Sequence, residues 1–238
     1  MSRSLTILVT GATSGIGKHT ALYLHGRGHR VIGTGRNEKA LAELRAAGVQ
    51  AIAMDVTQAA SVEAAQAEVA RITDGHGLDV LVNNAGYGLF GPVEMISDED
   101  VKAQYETNVF GLLRVTRAFL PQMRERGAGR VVNVSSVGGR MTFPLGGVYN
   151  STKYAVDSLS HALRMELHQF GVRVSTIEPG YIKTDFTART MELLGKYVSD
   201  QSSPYAHTLK SWAHAGERLE KLAVGPAAVC SLQALDHI

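Results

Sequence analysis

The chain has 238 residues, 45% of them hydrophobic and 19% charged, and its formal net charge is +2. That length and apolar content suffice for the core of one domain. The absence of a basic run argues against a nucleic-acid partner, and no apolar run approaches the roughly 20 residues of a membrane span. Cys230, the only cysteine, excludes an internal disulfide framework. We therefore expect a soluble, cytoplasmic protein.

Short apolar runs alternate with amphipathic stretches along most of the chain. The predicted strands are Leu5–Val9, Arg30–Thr34, Val49–Met54, Val80–Val82, Arg130–Val134 and Val172–Ile177. The predicted helices are Gly15–Gly28, Glu38–Ala47 with Asn37 as N-cap, Ser61–Ile72, helical sequence over Val101–Glu125, and Tyr149–Phe170. Strands this apolar are buried on both faces, and the alternation requires right-handed crossovers. We predict an α/β fold: a single Rossmann-type, doubly wound parallel sheet with helices on both faces.

The alternation stops near Thr184, where helical stretches are predicted at Met191–Val198 and Thr208–Leu222. We interpret residues 184–222, called the insertion below, as part of a single domain over residues 1–238. Tyr205 and Trp212 would either cover a ligand or pack the insertion against the body. A last helix is expected over Val224–Leu235, and no apolar seventh strand follows it, so that strand is predicted to be missing.

A glycine-rich turn, Thr10-Gly11-Ala12-Thr13-Ser14-Gly15-Ile16-Gly17, joins the first strand to the first helix. Gly11 and Gly15 let the backbone approach a pyrophosphate, and Gly17 permits close packing of helix on strand. The helix N-terminus then offers unpaired N–H groups and a favourable dipole to the phosphates. The spacing differs from GxGxxG, but its strand–turn–helix context predicts dinucleotide binding.

Tyr149 and Lys153 lie four residues apart in a predicted helix and therefore share one face. A cation there favours the phenolate, so we predict that the pKa of Tyr149 falls from about 10 toward neutrality. Such a tyrosine suits proton transfer. By itself YxxxK is a weak pattern, which two residues on a solvated helix face would also produce.

Several motifs together resemble the short-chain dehydrogenase/reductase family in order and spacing. They are the glycine turn, Asn83-Asn84-Ala85-Gly86, Asn108, Ser136, the Tyr149/Lys153 pair, and Pro179-Gly180 with Thr184. Ser136 precedes Tyr149 by thirteen residues, which matches the family's interval and selects it over Ser135. Three further runs resemble the hydroxysteroid and retinol dehydrogenase branch: Phe119-Leu120-Pro121, Arg130-Val131-Val132 and Ser136-Val137-Gly138-Gly139.

The resemblance implies a catalytic tetrad. Tyr149 would be the general acid in carbonyl reduction and the general base in alcohol oxidation. Lys153 would lower its pKa and bind the nicotinamide ribose, and Ser136 would donate a hydrogen bond to the substrate oxygen. Asn108 would hold a water that links Lys153 to solvent. The alternatives are a strand-end Ser136 that satisfies local backbone and an Asn108 without a functional role.

Cofactor choice depends on the end of the second strand, where this chain has Gly35-Arg36 in place of an acidic residue. An arginine there would bind a 2′-phosphate, so NADP(H) is favoured over NAD(H). The alternative is that Arg36 is only a solvated residue at the start of a helix and does not bind a phosphate. The glycine turn has Ser14 where some NADP-binding relatives carry a second cation, so it adds no further support for NADP(H). No metal site is predicted. The predicted cofactor-binding residues are Gly11, Ser14, Gly15, Ile16, Gly17, Arg36, Asp55, Val56, Asn83, Ala85, Gly86, Tyr149, Lys153, Pro179, Gly180, Ile182 and Thr184.

Apolar residues are expected to border the nicotinamide, either as a substrate wall or as loop packing: Tyr87, Leu89, Phe90, Val137, Met141, Phe143 and Leu145. Of these, Phe90, Met141 and Phe143, with Ser136, are the tentative substrate residues. The resemblance implies that the insertion is a substrate lid and that the protein is a homodimer or homotetramer. We predict an NADP(H)-dependent oxidoreductase that interconverts a carbonyl and an alcohol on a lipophilic, steroid-, retinoid- or acyl-chain-like substrate. The alternative is a non-catalytic NADP(H)-sensing or partner-binding module, which would not need the complete tetrad.

Overall fold

The computed structural model of the chain describes residues 3–199, 202–212, 214 and 223–230. Its six strands pair in parallel in the order β3-β2-β1-β4-β5-β6, which confirms the predicted doubly wound sheet. The strand order reverses between β1 and β4, where such sheets form a crevice at their carboxyl ends. The strands are β1 (Thr6–Val9), β2 (Arg30–Gly35), β3 (Gln50–Ala53), β4 (Val80–Asn83), β5 (Gly129–Val134) and β6 (Val172–Ile177).

Helices follow the strands as the sequence predicts. They are α1 (Gly15–Gly26), α2 (Glu38–Ala46), α3 (Ala59–Ile72), α4 (Asp98–Tyr105), α5 (Leu112–Arg126), α6 (Gly147–Leu167), α7 (Asp185–Val198), α8 (residues 206–212) and α9 (Ala227–Cys230). The predicted N-cap is confirmed, since the Asn37 side chain accepts a hydrogen bond from Ala40 N at 3.1 Å. Within the described part of the chain, none of the helices has the length and apolarity that crossing a bilayer requires.

The helical sequence over Val101–Glu125 is interrupted. A π-helical segment, Glu106–Gly111, separates α4 from α5, and α4 begins earlier than predicted because the Ser97 side chain caps it at Asp100 N. Apolar spacing did not reveal the π segment, because one extra residue in a turn leaves the buried face almost unchanged. Such segments are frequent at functional sites, and this one carries Asn108.

Alternate residues of each strand pack against opposite layers of helices. Ile7 and Val9 face α1, α2 and α9, whereas Leu8 faces α3, α5 and the end of α6. A third apolar cluster joins the loop after β4, the start of α6, and α7 and α8 of the insertion. Tyr149 belongs to this third cluster, so the insertion packs directly over the predicted catalytic helix.

Near its end the chain is described only in part. Residues 206–212 and 214 are helical, so this helix begins two residues before the predicted start at Thr208. Ala227–Cys230 lies within the predicted helix Val224–Leu235, but residues 224–226 are not helical, so the predicted start of that helix is wrong. The rest of both predicted helices and the end of the chain, for which no seventh strand was predicted, lie outside the described residues. Between the two helices, Val224 forms a parallel bridge with Ile182.

Gly17 should be intolerant of a side chain. A Cβ at this position would lie 2.4 Å from both Asn84 Nδ2 and the Gly11 carbonyl oxygen. We expect Gly17→Ala to lower the free energy of unfolding by about 1–3 kcal/mol in urea denaturation. Gly26→Ala, in the same helix, would meet no atom within 4 Å and should leave stability unchanged or raise it by up to about 1 kcal/mol. Equal effects of both substitutions would contradict the packing role of Gly17.

Candidate active site

The glycine turn has the backbone geometry that close approach to a ligand requires. Gly11 and Gly15 have φ of +63° and +52°, in the left-handed region that favours glycine. The turn is held from β4: Asn84 Nδ2 donates to the carbonyl oxygens of Thr10 at 2.9 Å and Gly11 at 3.2 Å. Thr10 Oγ1 in turn accepts from Asn84 N and Ala85 N, both at 2.9 Å. The turn is therefore a rigid element fixed to the neighbouring strand.

The N-terminus of α1 suits an anion. Its N-cap Ser14 makes no side-chain capping bond, and the first turn of α1 contains no acidic residue. The Thr184 side chain reaches this turn, with its Cβ 3.4 Å from the position of a Cβ on Gly15. The uncapped helix end and the side-chain-free cradle fit a dinucleotide pyrophosphate.

Thr13 and Arg36 define the chemistry at the end of β2. A Cβ on Gly35 would lie 2.4 Å from Thr13 Cγ2, so Thr13 fills the space that an acidic side chain at position 35 would need. The Arg36 side chain is 75% exposed, and its Nη1 lies 3.7 Å from Asp55 Oδ2. Burial raises the pKa of Asp55, but hydrogen bonds from Thr57 and the charge of Arg36 outweigh it and leave this pKa below its usual value. Arg36 is thus a mainly solvated cation next to Asp55, one of the predicted cofactor-binding residues.

The other predicted cofactor residues have varied surroundings. The Asn83 side chain is buried in the interior, where Nδ2 donates to Thr116 Oγ1 and Asn133 Oδ1, each at 2.9 Å. Val56 is also buried. Ile16 and Ile182 are half-buried against the apolar cluster that contains Ile7 and Val9. The Pro179 carbonyl accepts from Val137 N at 3.0 Å, and this bond joins the loop before Gly180 to the segment after Ser136.

Ser136, Tyr149 and Lys153 meet at the carboxyl end of β5. Tyr149 is 7% exposed, and Ser136 lies close enough to its hydroxyl to affect its pKa. The Ser136 Oγ accepts a hydrogen bond from Gly138 N at 3.0 Å. Lys153 Nζ donates to the Val134 carbonyl oxygen at 2.9 Å and lies 5.8 Å from the centroid of the Tyr149 ring. The neighbouring Ser135 is turned away and donates to the Lys153 carbonyl oxygen at 3.4 Å. The structure therefore brings together the serine, tyrosine and lysine that the sequence selected.

The pKa prediction for Tyr149 is wrong in direction. Burial raises the pKa of Tyr149 to about 12, and the neighbouring Ser136 hydroxyl lowers it only in part. Burial also lowers the pKa of Lys153 to about 8, against the attraction of Asp157. Loss of water around the phenolate outweighs a cation that is directed at the Val134 carbonyl. Tyr149 therefore holds its proton at neutral pH, as a proton donor must.

Asn108 fastens the loop after β4 to α6. Its Oδ1 accepts from Tyr87 N at 3.1 Å, and its Nδ2 donates to Tyr87 O at 3.0 Å and Thr152 Oγ1 at 3.1 Å. One turn earlier, Gln104 bonds the same loop through Leu89 N and Tyr87 O. Asn108 also restricts Gly86, where a Cβ would lie 3.0 Å from its Oδ1. Because both amide hydrogens are used, the predicted water would have to bind an oxygen of Asn108.

Aromatic side chains surround Tyr149. Phe90 stacks on it with ring centroids 5.3 Å apart, and Phe186 of α7 lies 5.7 Å away. Phe143 and Trp212 contact Phe90 at 5.8 Å and 5.2 Å. We call Phe90, Phe143, Tyr149, Phe186 and Trp212 the aromatic cluster. Of the four tentative substrate residues, Phe90 therefore stacks on the tyrosine and Phe143 stacks on Phe90.

Two expectations for this region need revision. Met141 is 59% exposed and lies outside the third apolar cluster, as does the exposed Val137, because the loop turns them toward solvent. Tyr205 and Trp212 pack the insertion against the body, since Trp212 contacts Phe90 and the Tyr205 hydroxyl donates to Glu94 Oε2 at 2.5 Å. That they also cover a ligand stays a prediction.

Sequence reasoning assigned no role to several residues that shape the site, although three of them stand in its motifs: Thr10, Thr13, Asn84, Gln104, Thr152 and Phe186. One signal was available. Side chains alternate along a strand, so of the adjacent Asn83 and Asn84 one must face inward and the other toward the turn. Gln104 and Phe186 gave no comparable signal, because their roles depend on contacts made across the fold.

Comparison with known proteins agrees with this geometry. A family model described as short chain dehydrogenase matches residues 5–193. The chain is 38% identical over 205 residues to a 3-ketodihydrosphingosine reductase of Bacteroides thetaiotaomicron, covering 86% of this chain and 74% of that protein. It is 41% identical over 207 residues to human (Homo sapiens) retinol dehydrogenase 16, and the match covers 85% of this chain and 65% of that protein. The crystal structure of an actinorhodin polyketide ketoreductase variant with NADPH matches with a TM-score of 0.79 and 33% identity. The match covers 98% of this chain and 91% of that one. The chain therefore belongs to the short-chain dehydrogenase family of oxidoreductases.

Proposed function

We propose that the protein is an NADP(H)-dependent oxidoreductase that interconverts a carbonyl and an alcohol on a lipophilic substrate. The observation that carries this proposal is the buried Tyr149 hydroxyl, which lies beside Ser136 and one helical turn from Lys153. Ser136 follows β5, and Tyr149 and Lys153 lie in the first turns of α6, at the carboxyl end of the sheet where doubly wound folds bind their ligands.

A bound NADPH would supply the hydride. Ser136 Oγ would donate a hydrogen bond to the substrate carbonyl oxygen, where negative charge develops. Tyr149 would pass its hydroxyl proton to that oxygen, leaving a phenolate on Tyr149 and an alcohol on the substrate. The Lys153 ammonium would stabilise the phenolate as it forms. Because burial raises the pKa of Tyr149 to about 12, its protonated form predominates at neutral pH, and this is the form that a proton donor in reduction needs.

The preference for NADP(H) rests on two neighbouring side chains. Thr13 fills the space beside Gly35, so a carboxylate that binds a ribose 2′-hydroxyl has no room there. Arg36 extends from the next position and is mainly solvated, with only a long contact to Asp55. A planar guanidinium in this place suits a 2′-phosphate. The polyketide ketoreductase that resembles this chain carries NADPH, in agreement with the same choice.

Substrate class is inferred from the aromatic cluster. Phe90 and Phe186 cover the Tyr149 ring, and Phe143 and Trp212 extend the apolar surface. Such a surface favours apolar chains or rings over charged small molecules. The similar proteins named for a ketosphingoid base and for retinol point the same way.

A non-catalytic NADP(H)-sensing or partner-binding module is the second candidate. It would use the glycine turn and Arg36 but would not need a hydroxyl pair beside a buried ammonium. The Ser136 and Tyr149 hydroxyls beside the buried Lys153 therefore favour an enzyme.

A reductase screen that follows NADPH absorbance tests the function. We expect lipophilic carbonyls, such as a steroid ketone, retinal and a long-chain β-ketoacyl ester, to give kcat/KM at least about tenfold above a small polar keto acid. The aromatic cluster is the reason, because it offers no charged partner to a polar substrate. The highest kcat/KM on the polar keto acid would contradict the substrate class. Tight NADPH binding without turnover of any compound would support the non-catalytic module.

Tyr149→Phe tests the general acid. The ring and its contacts remain, but the proton donor is lost, so kcat for reduction should fall by about 10²–10⁴-fold while the Kd for NADPH stays nearly unchanged. Tyr154→Phe is the matched control, since Tyr154 lies in the same helix and is 44% exposed. It should retain normal kcat. Turnover by Tyr149→Phe at the normal rate would exclude this mechanism.

Arg36→Ala tests the cofactor. Loss of the guanidinium should raise the Kd for NADPH by about tenfold or more and leave the Kd for NADH within about twofold. Arg71→Ala removes an exposed arginine that pairs with Glu68 on α3 and should change neither value. Equal weakening of NADPH and NADH by Arg36→Ala would show that the 2′-phosphate is not bound by this side chain. Both constants can be measured by fluorescence titration.

A further inference from the structure

Asp157 is a buried carboxylate that the chemistry proposed above does not use. It lies one helical turn beyond Lys153 in α6 and is 4% exposed. No hydrogen-bond donor of the described residues reaches either of its carboxylate oxygens. An ionised carboxylate in such a place is costly unless neighbouring positive charge compensates for the lost water.

The charged groups around Asp157 come from three elements. On α6, Lys153 precedes it by one turn and His161 follows it by one turn. After β5, Arg140 Nε lies 3.7 Å from Asp157 Oδ2. Arg140 also forms a forked ion pair with Glu178 at the end of β6, with distances of 2.7 and 3.1 Å. The hydrogen bond from Arg140 chiefly, and His161 more weakly, lower the pKa of Glu178.

The backbone closes over this carboxylate. A Cβ on Gly139 would lie 2.4 Å from Asp157 Oδ2 and 3.0 Å from Ser135 Oγ. Gly139 belongs to the turn that Ser136 caps, so the segment bearing the predicted oxyanion donor is packed against Asp157. The carboxylate thus lies in the helical turn after Lys153 and against the turn that Ser136 caps.

We propose that Asp157 is a positioning residue that keeps the Lys153 ammonium charged beside Tyr149, with Arg140 as a second cation that competes with Lys153 for the same carboxylate. This inference rests on the proposed function, because it assigns a role to Asp157 through the catalytic role of Lys153. Arg140 also connects Asp157 to Glu178, which directly precedes Pro179-Gly180.

Loss of the Asp157 charge and loss of the Arg140 charge should shift the pKa of Lys153 in opposite directions. Burial lowers the pKa of Lys153 to about 8, and Asp157 opposes that fall. Without the Asp157 charge, the pKa of Lys153 drops further and the ammonium loses its proton at lower pH. Arg140 carries the same charge as Lys153, so its removal leaves Asp157 to act on Lys153 alone and raises the pKa of Lys153.

The experiment is the pH dependence of kcat/KM for reduction between pH 6 and 10. In the unaltered protein the rate should fall as pH rises past about 8, where Lys153 loses its proton. Asp157→Asn should move this fall to lower pH by about one unit or more. Arg140→Gln should move it to higher pH by a smaller amount, because Arg140 is half-exposed. Asp157→Glu, which restores the charge, should return the profile toward that of the unaltered protein.

Asp79→Asn is the matched control, since Asp79 is a mostly buried carboxylate just before β4, where it accepts from Thr6 N at 2.8 Å. It should leave the pH profile unchanged. Shifts of Asp157→Asn and Arg140→Gln in the same direction, or a loss of rate that is equal at every pH, would indicate a structural effect and overturn the inference. If Asp157→Asn does not fold, Arg140→Gln alone decides: an upward shift supports the inference and an unchanged profile overturns it.

Lys153→Ala separates the two proposals. If Lys153→Ala is inactive while Asp157→Asn has an unaltered profile, Asp157 is not a positioning residue and the proposed function stands. If Lys153→Ala keeps normal turnover, the proposed catalytic role fails and the inference about Asp157 fails with it.

Discussion

All six strands run parallel, and the site depends on that constraint because it places their carboxyl ends along one edge of the sheet. Polar groups then converge without being close in sequence. The glycine turn follows β1, Arg36 follows β2, Asn84 follows β4, and Ser136 follows β5. Hydrogen bonds from Asn84 to the glycine turn join two of these strand ends directly. The same edge receives the insertion, whose Phe186 reaches the Tyr149 ring.

Burial controls the electrostatics of this edge. A pKa of about 12 for Tyr149 means that burial disfavours its phenolate by about 3 kcal/mol relative to an ordinary tyrosine. Burial also disfavours the charged form of Lys153, which lowers its pKa, and the charge of Asp157 opposes this fall. Arg140 and Glu178 extend this row of alternating charges to the surface. In the role proposed for Asp157, this row keeps Lys153 charged beside a protonated Tyr149 in an apolar setting.

Much of the fold could be predicted from local pattern. The six strands were found because each is an apolar run between breakers, and α2 because Asn37 caps it. The π segment at Asn108 could not be predicted, since its apolar face resembles that of an α-helix. Of the site, Ser136, Tyr149 and Lys153 were selected by spacing, whereas Met141 was misplaced because a loop side chain has no periodicity to orient it.

By itself the sequence determined the order of strands and helices, the glycine turn and the helical spacing of Tyr149 and Lys153, because these depend on neighbours within a few residues. Only the tertiary structure decided the protonation of Tyr149, since its pKa depends on how much water Phe90 and Phe186 exclude. It also decided that Thr13 fills the place of an acidic residue beside Gly35, and that Asp157 faces Arg140. Desolvation and contacts between distant segments arise only when the chain is packed, so no local pattern records them.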